Sequence, residues 1–255
     1  MVNSYEGVLV AVPSIGRECL NSCLEKIDLT TRGEADIVVF GKIDKNKFKT
    51  TRCPFEYVEV EFPEISNNIK SALNFAKKEK YKYLIKVDDD CFVKEGAIDR
   101  IVYLLNKNPN FPYLASIGNY NAFLRMDAET LEKAFIPILS CDVLFGLDVS
   151  FCEKHEIGID TGGGNRYALD LCLSIFKAGG IPGMVDAKMS HRLTGTKEKT
   201  YDNYFKFSEY LAKKHSDLMK MNKRYCISFK NKPDSFKKKY KISTEGIIEE
   251  ICDSI

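Results

Sequence analysis

The stretch YKYLIKVDDDCFV, residues 81–93, ends an apolar run on three consecutive carboxylates, Asp88, Asp89 and Asp90, referred to below as the acidic triplet. The run YKYLIKV has the length and the apolar composition of a buried β-strand. Adjacent carboxylates repel one another, and a dry strand end raises their pKa values unless a cation or solvent compensates. Two interpretations are open at this point: a solvated turn that caps the next helix, or a site at which the aspartates bind a cation.

Strand and helix patterns alternate before this stretch. Buried strands are predicted for GVLVAV (7–12) and ADIVVFG (35–41), and an edge strand for YVEVEF (57–62), in which apolar and charged residues alternate. The segment NNIKSALNFAKKEK (67–80) has the apolar spacing of an amphipathic helix. This order predicts an α/β fold with a mostly parallel central sheet flanked by helices. Ligands of such sheets bind at the carboxyl ends of the strands, where the acidic triplet lies.

The second half of the chain has less regular patterns. Its predicted elements are a helix EGAIDRIVYLLNK (95–107), an irregular strand pair YLASIGNYNAFL (113–124), a helix ALDLCLSIFKAGG (168–180) and a short strand within GMVDAKMSHR (183–192). We expect a main domain over residues 1–195, with halves at 1–95 and 96–195. A basic and helical C-terminal extension, residues 196–255, is expected to pack on or beside it.

The composition excludes several classes of protein. With 44% hydrophobic residues in 255, the chain is long enough to bury a sizeable core. Nine cysteines without paired CxxC spacing favour reduced structural thiols over a disulfide framework. No apolar run reaches the roughly 18 residues of a membrane-spanning helix, and the N-terminus lacks a basic region followed by an apolar core. These features predict a soluble, cytoplasmic protein without a transmembrane segment.

Positive charge is concentrated near the C-terminus. Residues 206–241 contain 12 Lys and Arg against three acidic residues, with aromatic residues between them, although the whole chain has a net charge of only +2. One interpretation is a helix that packs its aromatic side on the domain and leaves its lysines in water. The other is a surface for an anionic partner, such as DNA, a lipid-linked or capsular glycan, or a membrane face.

Aspartate oxygens are hard ligands that suit Mg²⁺ or Mn²⁺. The segment LIKVDDDCFV resembles the DxD segment of glycosyltransferases with the GT-A fold, most of all that of the β1,3-galactosyltransferase and Fringe group. Upstream, the segments VLVAVPSIGR, DIVVFGKID and ISNNIKSAL resemble the first strand and loop, the second strand, and the helix before the DxD strand.

The resemblance continues downstream of the triplet. The segments VLFGLDVSF, GIDTGGG and LSIFKAGGIPGMVDAKMSHR are similar in order and spacing to the acceptor half of family 2 glycosyltransferases and polypeptide GalNAc-transferases. The likeness covers about residues 7–195. It implies an enzyme that moves a hexosyl or pentosyl group from a nucleoside-diphosphate sugar, such as a UDP-sugar, to an acceptor hydroxyl on a protein, a glycan or a modified DNA base. The implied cofactor is Mn²⁺ or Mg²⁺.

The resemblance also implies roles for individual residues. The metal ligands would be Asp88, Asp90 and His191. Contacts to the nucleotide sugar would come from Pro13, Ser14, Arg17, Lys42, Asp44, Asn68, Lys70, Lys86, Asp88 and Asp89. Lys86 or Arg192 would add positive charge near the leaving group, while Arg166 and residues 162–164 would shape the sugar or acceptor pocket. Each of these residues also has a plain structural explanation, as a solvated loop residue, a turn glycine or an ordinary histidine.

The general base is the weak point of the resemblance. Inverting relatives have a Glu-Asp pair at the start of the helix that leads to the Gly-Gly, and this chain has Tyr167 and Ala168 there. Asp170 is the nearest carboxylate and the candidate base, with Asp160 and then Asp148 in reserve. Inversion and retention of the sugar configuration both stay open.

Two other functions stay open as well. A carboxylate-metal nucleotidyltransferase or nuclease would need further acidic ligands around two ions. A nucleic-acid-binding protein would use the basic extension and leave the acidic triplet as a turn.

Overall fold

The computed structural model describes residues 7–31, 35–44, 55–61, 64–116, 143–160, 167–185, 187–191, 201–221, 227–229 and 239–251. The strands in these ranges are β1 (Val8–Ser14), β2 (Asp36–Gly41), β3 (Glu56–Glu59), β4 (Tyr83–Val87), β5 (Cys91–Val93), β6 (Tyr113–Ser116), β7 (Leu144–Asp148), β8 (Pro182–Val185), β9 (Met189–His191), β10 (Met219–Met221), β11 (Ile227–Phe229), β12 (Lys239–Ile242) and β13 (Ile248–Ile251). The helices are α1 (Leu20–Thr30), α2 (Ile65–Lys78), α3 (Ala97–Lys107), α4 (Val149–Lys154), α5 (Tyr167–Lys177) and α6 (Tyr201–Lys214).

Within the described ranges, the main sheet has seven strands in the order β3-β2-β1-β4-β7-β6-β8. Strands β3, β2, β1 and β4 are parallel, and β7 runs antiparallel to both β4 and β6. Strand β8 is parallel to β6. The predicted α/β fold with a mostly parallel sheet is therefore confirmed, and so is the edge position of β3.

The hydrophobic pattern of the sequence explains the central strands of the sheet and helix α2. Strands β1 and β4 are buried at every position because they lie in the middle of the sheet. Helix α2 buries Ile69, Leu73 and Ala76, which recur at helical spacing, and it packs on β1, β2 and β4. This packing places the N-terminus of α2 and the ends of β1, β2 and β4 at the same edge of the sheet.

The predicted short strand within residues 183–192 is two strands. Strand β8 belongs to the main sheet, whereas β9 leaves it and pairs antiparallel with β5. The register places Cys91 opposite His191 and Val93 opposite Met189. A long-range pairing of this kind returns the chain to the segment that directly follows the acidic triplet.

The C-terminal extension is helical only over its first part, which corrects the helical expectation. After α6 the chain forms two antiparallel hairpins, β10–β11 and β12–β13. Three of their strands, MKM, ISF and KYKI, are short runs in which apolar and polar residues alternate, a pattern that favours strand pairing over a helix. The fourth strand, IEEI, does not alternate. The expected boundary at residue 195 lies outside the described residues and stays a prediction.

Helix α6 contacts the main domain through a small apolar cluster of Leu169, Leu173, Leu211 and Met219. The β12–β13 hairpin is attached at the end of α3. There the Asn108 side-chain amide donates to the Gly246 carbonyl at 2.8 Å, and the Ile248 amide donates to Asn108 Oδ1 at 2.7 Å. Both described parts of the extension therefore pack against the main domain.

In the described part of the chain, no helix has the length and apolar character needed to cross a membrane. The cysteines that the structure describes, Cys19, Cys23, Cys91, Cys152 and Cys172, are all buried and free. This agrees with the prediction of reduced structural thiols at these positions.

Candidate active site

The acidic triplet lies at the carboxyl end of β4, beside the loop that follows β1. The Ser14 hydroxyl donates to Asp89 Oδ2 at 2.6 Å. The guanidinium of Arg17 bridges two carboxylates through Nη1, at 3.1 Å from Asp89 Oδ1 and 2.9 Å from Asp90 Oδ2. Asp89 and Asp90 are almost fully buried, and buried carboxylates need such partners to stay ionised. The interpretation of the triplet as a solvated turn does not fit Asp89 and Asp90, because both are buried.

Asp88 has a different environment from its neighbours. Its Oδ1 lies 2.6 Å from the Nζ of Lys86, two residues earlier on β4. The Lys86 side chain is 1% exposed, whereas that of Asp88 is 21% exposed. The triplet thus presents one carboxylate to solvent over a buried cation.

The backbone of the triplet is fixed on both sides. The Asp88 amide donates to the Val143 carbonyl at 2.9 Å, and the Cys91 amide donates to the Asp88 carbonyl at 2.9 Å. The thiol of Cys23, on α1, donates to the same Asp88 carbonyl at 3.3 Å. Sequence reasoning had no signal for the role of Cys23, because an apolar helical position with a cysteine looks like ordinary core.

The pKa of Asp89 is raised above its ordinary value. Burial is the largest cause, because it removes the carboxylate from water, and the neighbouring Asp90 acts in the same direction. The Ser14 hydrogen bond and the Arg17 charge oppose this rise. An additional cation nearby would lower the pKa of Asp89 and stabilise the ionised form.

The β5–β9 pairing brings the backbone of His191 to this site. His191 lies directly opposite Cys91, the residue after Asp90, and paired residues in antiparallel strands have Cα atoms about 4.5 to 5.5 Å apart. The side chain of His191 is outside the described part of the structure, as is Arg192. The predicted neighbourhood of His191 and the triplet agrees with this register, and the role of His191 as a ligand stays a prediction.

No protein-family model matches the sequence, and no curated protein sequence is significantly similar to it. Several solved structures are similar in fold. Glucosyl-3-phosphoglycerate synthase from Mycobacterium tuberculosis, in complex with Mn²⁺, UDP and phosphoglyceric acid, is 12% identical with a TM-score of 0.58, over 87% of this chain and 86% of that chain. S. aureus TarS 1–349 in complex with UDP-GlcNAc is 11% identical with a TM-score of 0.52, over 82% and 72% of the two chains. A mycobacterial protein is 11% identical with a TM-score of 0.55, over 89% and 83%.

This chain has the GT-A fold. The similarity to the first of these structures covers 87% of this chain. At these identities it concerns the fold alone, and the roles of single residues depend on the geometry of this chain.

The GT-A fold implies a divalent cation, and the donor set at the triplet fits one. Carboxylate oxygens are the hard ligands that Mg²⁺ and Mn²⁺ prefer. Among the described residues, no three His, Cys, Asp or Glu side chains form a complete metal-binding cluster. Such ions are commonly held by one or two carboxylates together with substrate phosphates. The role of Asp88 and Asp90 as the ligands stays a prediction.

The residues predicted to contact the donor fall into three groups: a cluster at the triplet, two buried residues and three exposed residues. Ser14, Arg17, Lys86 and the triplet form one connected cluster through the contacts above. Pro13 is buried within β1, and Asn68 is buried on α2 with its Oδ1 lacking a hydrogen-bond partner.

Lys42 and Asp44 are exposed after β2, and Lys70 is exposed on α2. The segment after β2 is held by Tyr57, whose hydroxyl donates to the Gly41 carbonyl at 2.9 Å and accepts from the Ile43 amide at 3.1 Å. Sequence reasoning missed this tyrosine because its pairing partner lies 14 residues away.

The two candidate bases both contact the C-terminal extension. Asp170 is buried, with Oδ1 2.6 Å from His215 Nε2 and Oδ2 2.7 Å from Lys214 Nζ. Its contacts among the described residues lead to α6 and the residue after it, not to the triplet. Asp160 is more exposed, and it accepts a hydrogen bond from the Tyr210 hydroxyl and pairs with Lys214. A role for Asp170 as a base would require the His215 and Lys214 contacts to open.

Asp148, the further reserve, lies at the other end of the sheet. It pairs with Tyr83 at the start of β4, and its side chain caps α4 by accepting from the Phe151 amide at 2.9 Å. Four residues of β4 separate it from the triplet end, about 13 Å at the usual rise of a strand. The predicted pocket residues Arg166 and 162–164 lie outside the described residues.

A groove of about 500 Å³ lies elsewhere on the molecule. Its lining residues are His155, Glu156, Ile157, Gly158, Ser174, Lys177, Ala178, Lys214 and His215. None of them belongs to the triplet or to the predicted donor contacts.

Proposed function

We propose that this protein is a metal-dependent glycosyltransferase that moves a sugar from a nucleoside-diphosphate sugar to an acceptor hydroxyl. One observation carries the proposal. In a GT-A fold, the carboxyl end of β4 holds three carboxylates. Two of them are buried and are contacted by Ser14, the last residue of β1, and by Arg17 in the loop after it. Buried carboxylates with pKa values shifted by burial and by neighbouring charges, such as Asp89, cluster at functional sites.

The structures of similar fold support the class of donor. Glucosyl-3-phosphoglycerate synthase has been solved with Mn²⁺ and UDP-glucose and with Mg²⁺ and UDP, and TarS has been solved with UDP-GlcNAc. We therefore propose a UDP-sugar as the donor and Mn²⁺ or Mg²⁺ as the ion. The likeness of LIKVDDDCFV to the β1,3-galactosyltransferase and Fringe group points to the same class of chemistry.

In this proposal Asp88 and Asp90, with His191, would hold the ion, and the ion would supply positive charge for the diphosphate leaving group. The other residues orient the donor. Ser14 fixes the orientation of Asp89, Arg17 pairs with Asp89 and Asp90 before the donor binds, and Lys86 lies beneath Asp88 as its ion-pair partner. Lys42, Asp44 and Lys70, whose side chains are exposed, would contact the nucleotide.

The chemical step is a displacement at the anomeric carbon. The acceptor oxygen forms a bond to this carbon, and the bond from the carbon to the diphosphate oxygen breaks with its electron pair leaving on the diphosphate. A carboxylate accepts the acceptor proton. Of the two candidate bases, Asp160 is the one that solvent reaches. Asp170 accepts the proton only if its contacts with Lys214 and His215 break.

The acceptor is proposed only as a class: a hydroxyl on a protein, a glycan or a modified DNA base. The positive charge between residues 206 and 241 favours an anionic acceptor. Within that segment Lys206, Lys213 and Lys220 are exposed, whereas Lys214 is engaged by Asp170.

A panel of nucleotide sugars tests the proposal. The purified chain is incubated with UDP-, GDP-, ADP- and TDP-linked sugars, with Mn²⁺ or with EDTA, and both hydrolysis of the donor and the melting temperature are measured. We expect one donor to raise the melting temperature and to be slowly hydrolysed only when Mn²⁺ or Mg²⁺ is present. An equal response with EDTA, or no response to any donor, would reject the metal-dependent transferase.

A further inference from the structure

We infer that Arg17 competes with the divalent cation for the carboxylates of the triplet, and that the donor diphosphate releases it, so that Arg17 makes metal and donor binding cooperative. This inference rests on the proposed function and assigns one residue a regulatory part in it. It starts from one contact: Nη1 of Arg17 lies 2.9 Å from Asp90 Oδ2 and 3.1 Å from Asp89 Oδ1.

The two cations at the triplet differ in how freely they can move. The Lys86 side chain is 1% exposed, in the middle of the sheet, and a move away from Asp88 would leave its charge in an apolar interior. The Arg17 side chain is 28% exposed. Its guanidinium can leave the carboxylates for solvent or for another anion by changing rotamers.

The backbone of the loop that carries Arg17 is held on both sides of this residue. Gly16 has a positive φ of 81°, and its amide donates to Ser14 Oγ at 3.0 Å. The Arg17 carbonyl accepts from the Leu20 amide at 3.1 Å, which anchors its backbone at the start of α1. The side chain therefore moves on a fixed backbone position.

A divalent ion held by Asp90 would share this carboxylate with the guanidinium of Arg17, which lies 2.9 Å from Asp90 Oδ2. Two positive charges beside one carboxylate repel each other. Binding of the ion without an anion is opposed by this repulsion. A diphosphate changes the balance, because a guanidinium binds phosphate oxygens strongly and in two-point geometry.

Exchange of Arg17 between the carboxylates and the diphosphate couples the two ligands. Each ligand then increases the affinity of the other by the same factor, as linkage requires. A substitution that only removes a positive charge near the site has a different effect on Mn²⁺ binding. It changes the affinity for Mn²⁺ by the same factor with and without the nucleotide, and so leaves the coupling factor unchanged.

Isothermal titration calorimetry with Mn²⁺, in the presence and absence of saturating UDP, tests this inference. The variants are Arg17→Met, which removes the charge at similar length, and Arg17→Lys, which keeps the charge and loses the bridge between two carboxylates. The matched control is Lys26→Met, which removes an exposed positive charge from α1. Melting temperatures verify that all variants are folded.

In Arg17→Met we expect Mn²⁺ alone to bind about tenfold more tightly than in the wild type, and the gain in Mn²⁺ affinity from UDP to shrink about tenfold. Arg17→Lys should be intermediate and Lys26→Met unchanged. An unchanged coupling factor in Arg17→Met would overturn the inference and leave the proposed function standing. Absence of Mn²⁺ binding in every protein, with or without UDP, would overturn both.

Discussion

The ammonium group of Lys86 lies 2.6 Å from Oδ1 of Asp88, although the Lys86 side chain is fully buried in β4. The pair is asymmetric, because solvent reaches Asp88 but not Lys86. A buried lysine is rare unless it is paired. The Nζ also lies 5.9 Å from the ring centre of Phe145 on β7, which adds a favourable contact.

This asymmetry predicts unequal effects of two substitutions that remove the same ion pair. Asp88→Asn leaves a buried ammonium without its carboxylate, and we expect a loss of about 2 to 3 kcal/mol in the free energy of unfolding. Lys86→Met leaves a carboxylate that water can hydrate, and we expect a loss of about 1 kcal/mol or less. Urea denaturation measures both values.

The matched control for this pair is Lys78→Met. Lys78 pairs with Glu79 at 2.9 Å on the exposed surface, so the free energy of unfolding should change by less than about 0.5 kcal/mol. Equal losses in Asp88→Asn and Lys86→Met would contradict the burial asymmetry.

Asp90→Asn tests the proposed metal site. An amide oxygen is a weaker ligand than a carboxylate for a hard cation, and the variant keeps the size of the side chain. We expect the affinity for UDP in the presence of Mn²⁺ to fall at least about 100-fold, close to its value in EDTA. Asp28→Asn, an exposed position on α1, should bind as the wild type does. Wild-type affinity in Asp90→Asn would reject the metal assignment.

A substitution at Gly41 tests how closely the ends of β1 and β2 must approach each other. A Cβ atom at Gly41 would lie 1.8 Å from the Ser14 carbonyl oxygen, a backbone atom that cannot move without displacing β1. We expect Gly41→Ala to lower the free energy of unfolding by more than about 3 kcal/mol, as strain in a packed region does. Donor binding should weaken too, because Ser14 contacts Asp89.

Gly158→Ala is the control for that substitution. A Cβ atom there would meet nothing within 4 Å, so the free energy of unfolding should stay constant or rise by up to about 1 kcal/mol. If thermal or urea denaturation shows similar stabilities for the two alanine variants, the close approach at Gly41 is not a constraint.

The buried Asp170 cluster predicts a structural effect that can be separated from catalysis. Asp170→Asn removes the carboxylate charge that contacts both His215 and Lys214. We expect a loss of about 2 to 4 kcal/mol in the free energy of unfolding. Asp217→Asn removes the exposed pair with Lys177 and should cost less than about 0.5 kcal/mol.

The turnover number decides whether Asp170 is also the base. A fall in kcat of at least about 100-fold at near wild-type stability would assign it that role. A stability loss with an unchanged kcat in the folded fraction would assign Asp170 to the attachment of the C-terminal extension, and Asp160→Asn would then be the next variant to measure.

Burial raises the pKa of the Cys152 thiol to about 12 from an ordinary value of 9.0. Above pH 9.0 this thiol ionises in the unfolded chain before it does so in the folded protein, so stability is lost as the pH rises toward 12. The contribution of one thiol is at most about 1.4 kcal/mol per pH unit. Denaturation at about pH 8.5 and about pH 10.5, on either side of the ordinary thiol pKa, should show a smaller loss in Cys152→Ala than in the wild type. Identical losses would show that Cys152 does not titrate in this way.

Local patterns in the sequence were sufficient to predict much of the secondary structure and the fold class of this protein. The apolar runs of β1, β2 and β4 and the helical spacing of α2 depend on neighbours a few residues apart, so they are visible in the chain itself. The parallel order of these strands follows from the helices between them. The amino-acid sequence by itself therefore places the acidic triplet at a strand end of an α/β sheet, and the GT-A fold was implied by the resemblance of LIKVDDDCFV to a DxD segment.

Only the tertiary structure decided which side chains meet. Ser14 and Asp89 are 75 residues apart, and Asp170 turned out to contact His215, 45 residues later. The β5–β9 pairing, which places Cys91 opposite His191, is also a long-range contact. Such contacts depend on which faces of distant elements pack together, and that choice is made by the summed burial of the whole core. No local pattern of residues encodes it, which is why the acidic triplet could be found from the sequence while its partners could not.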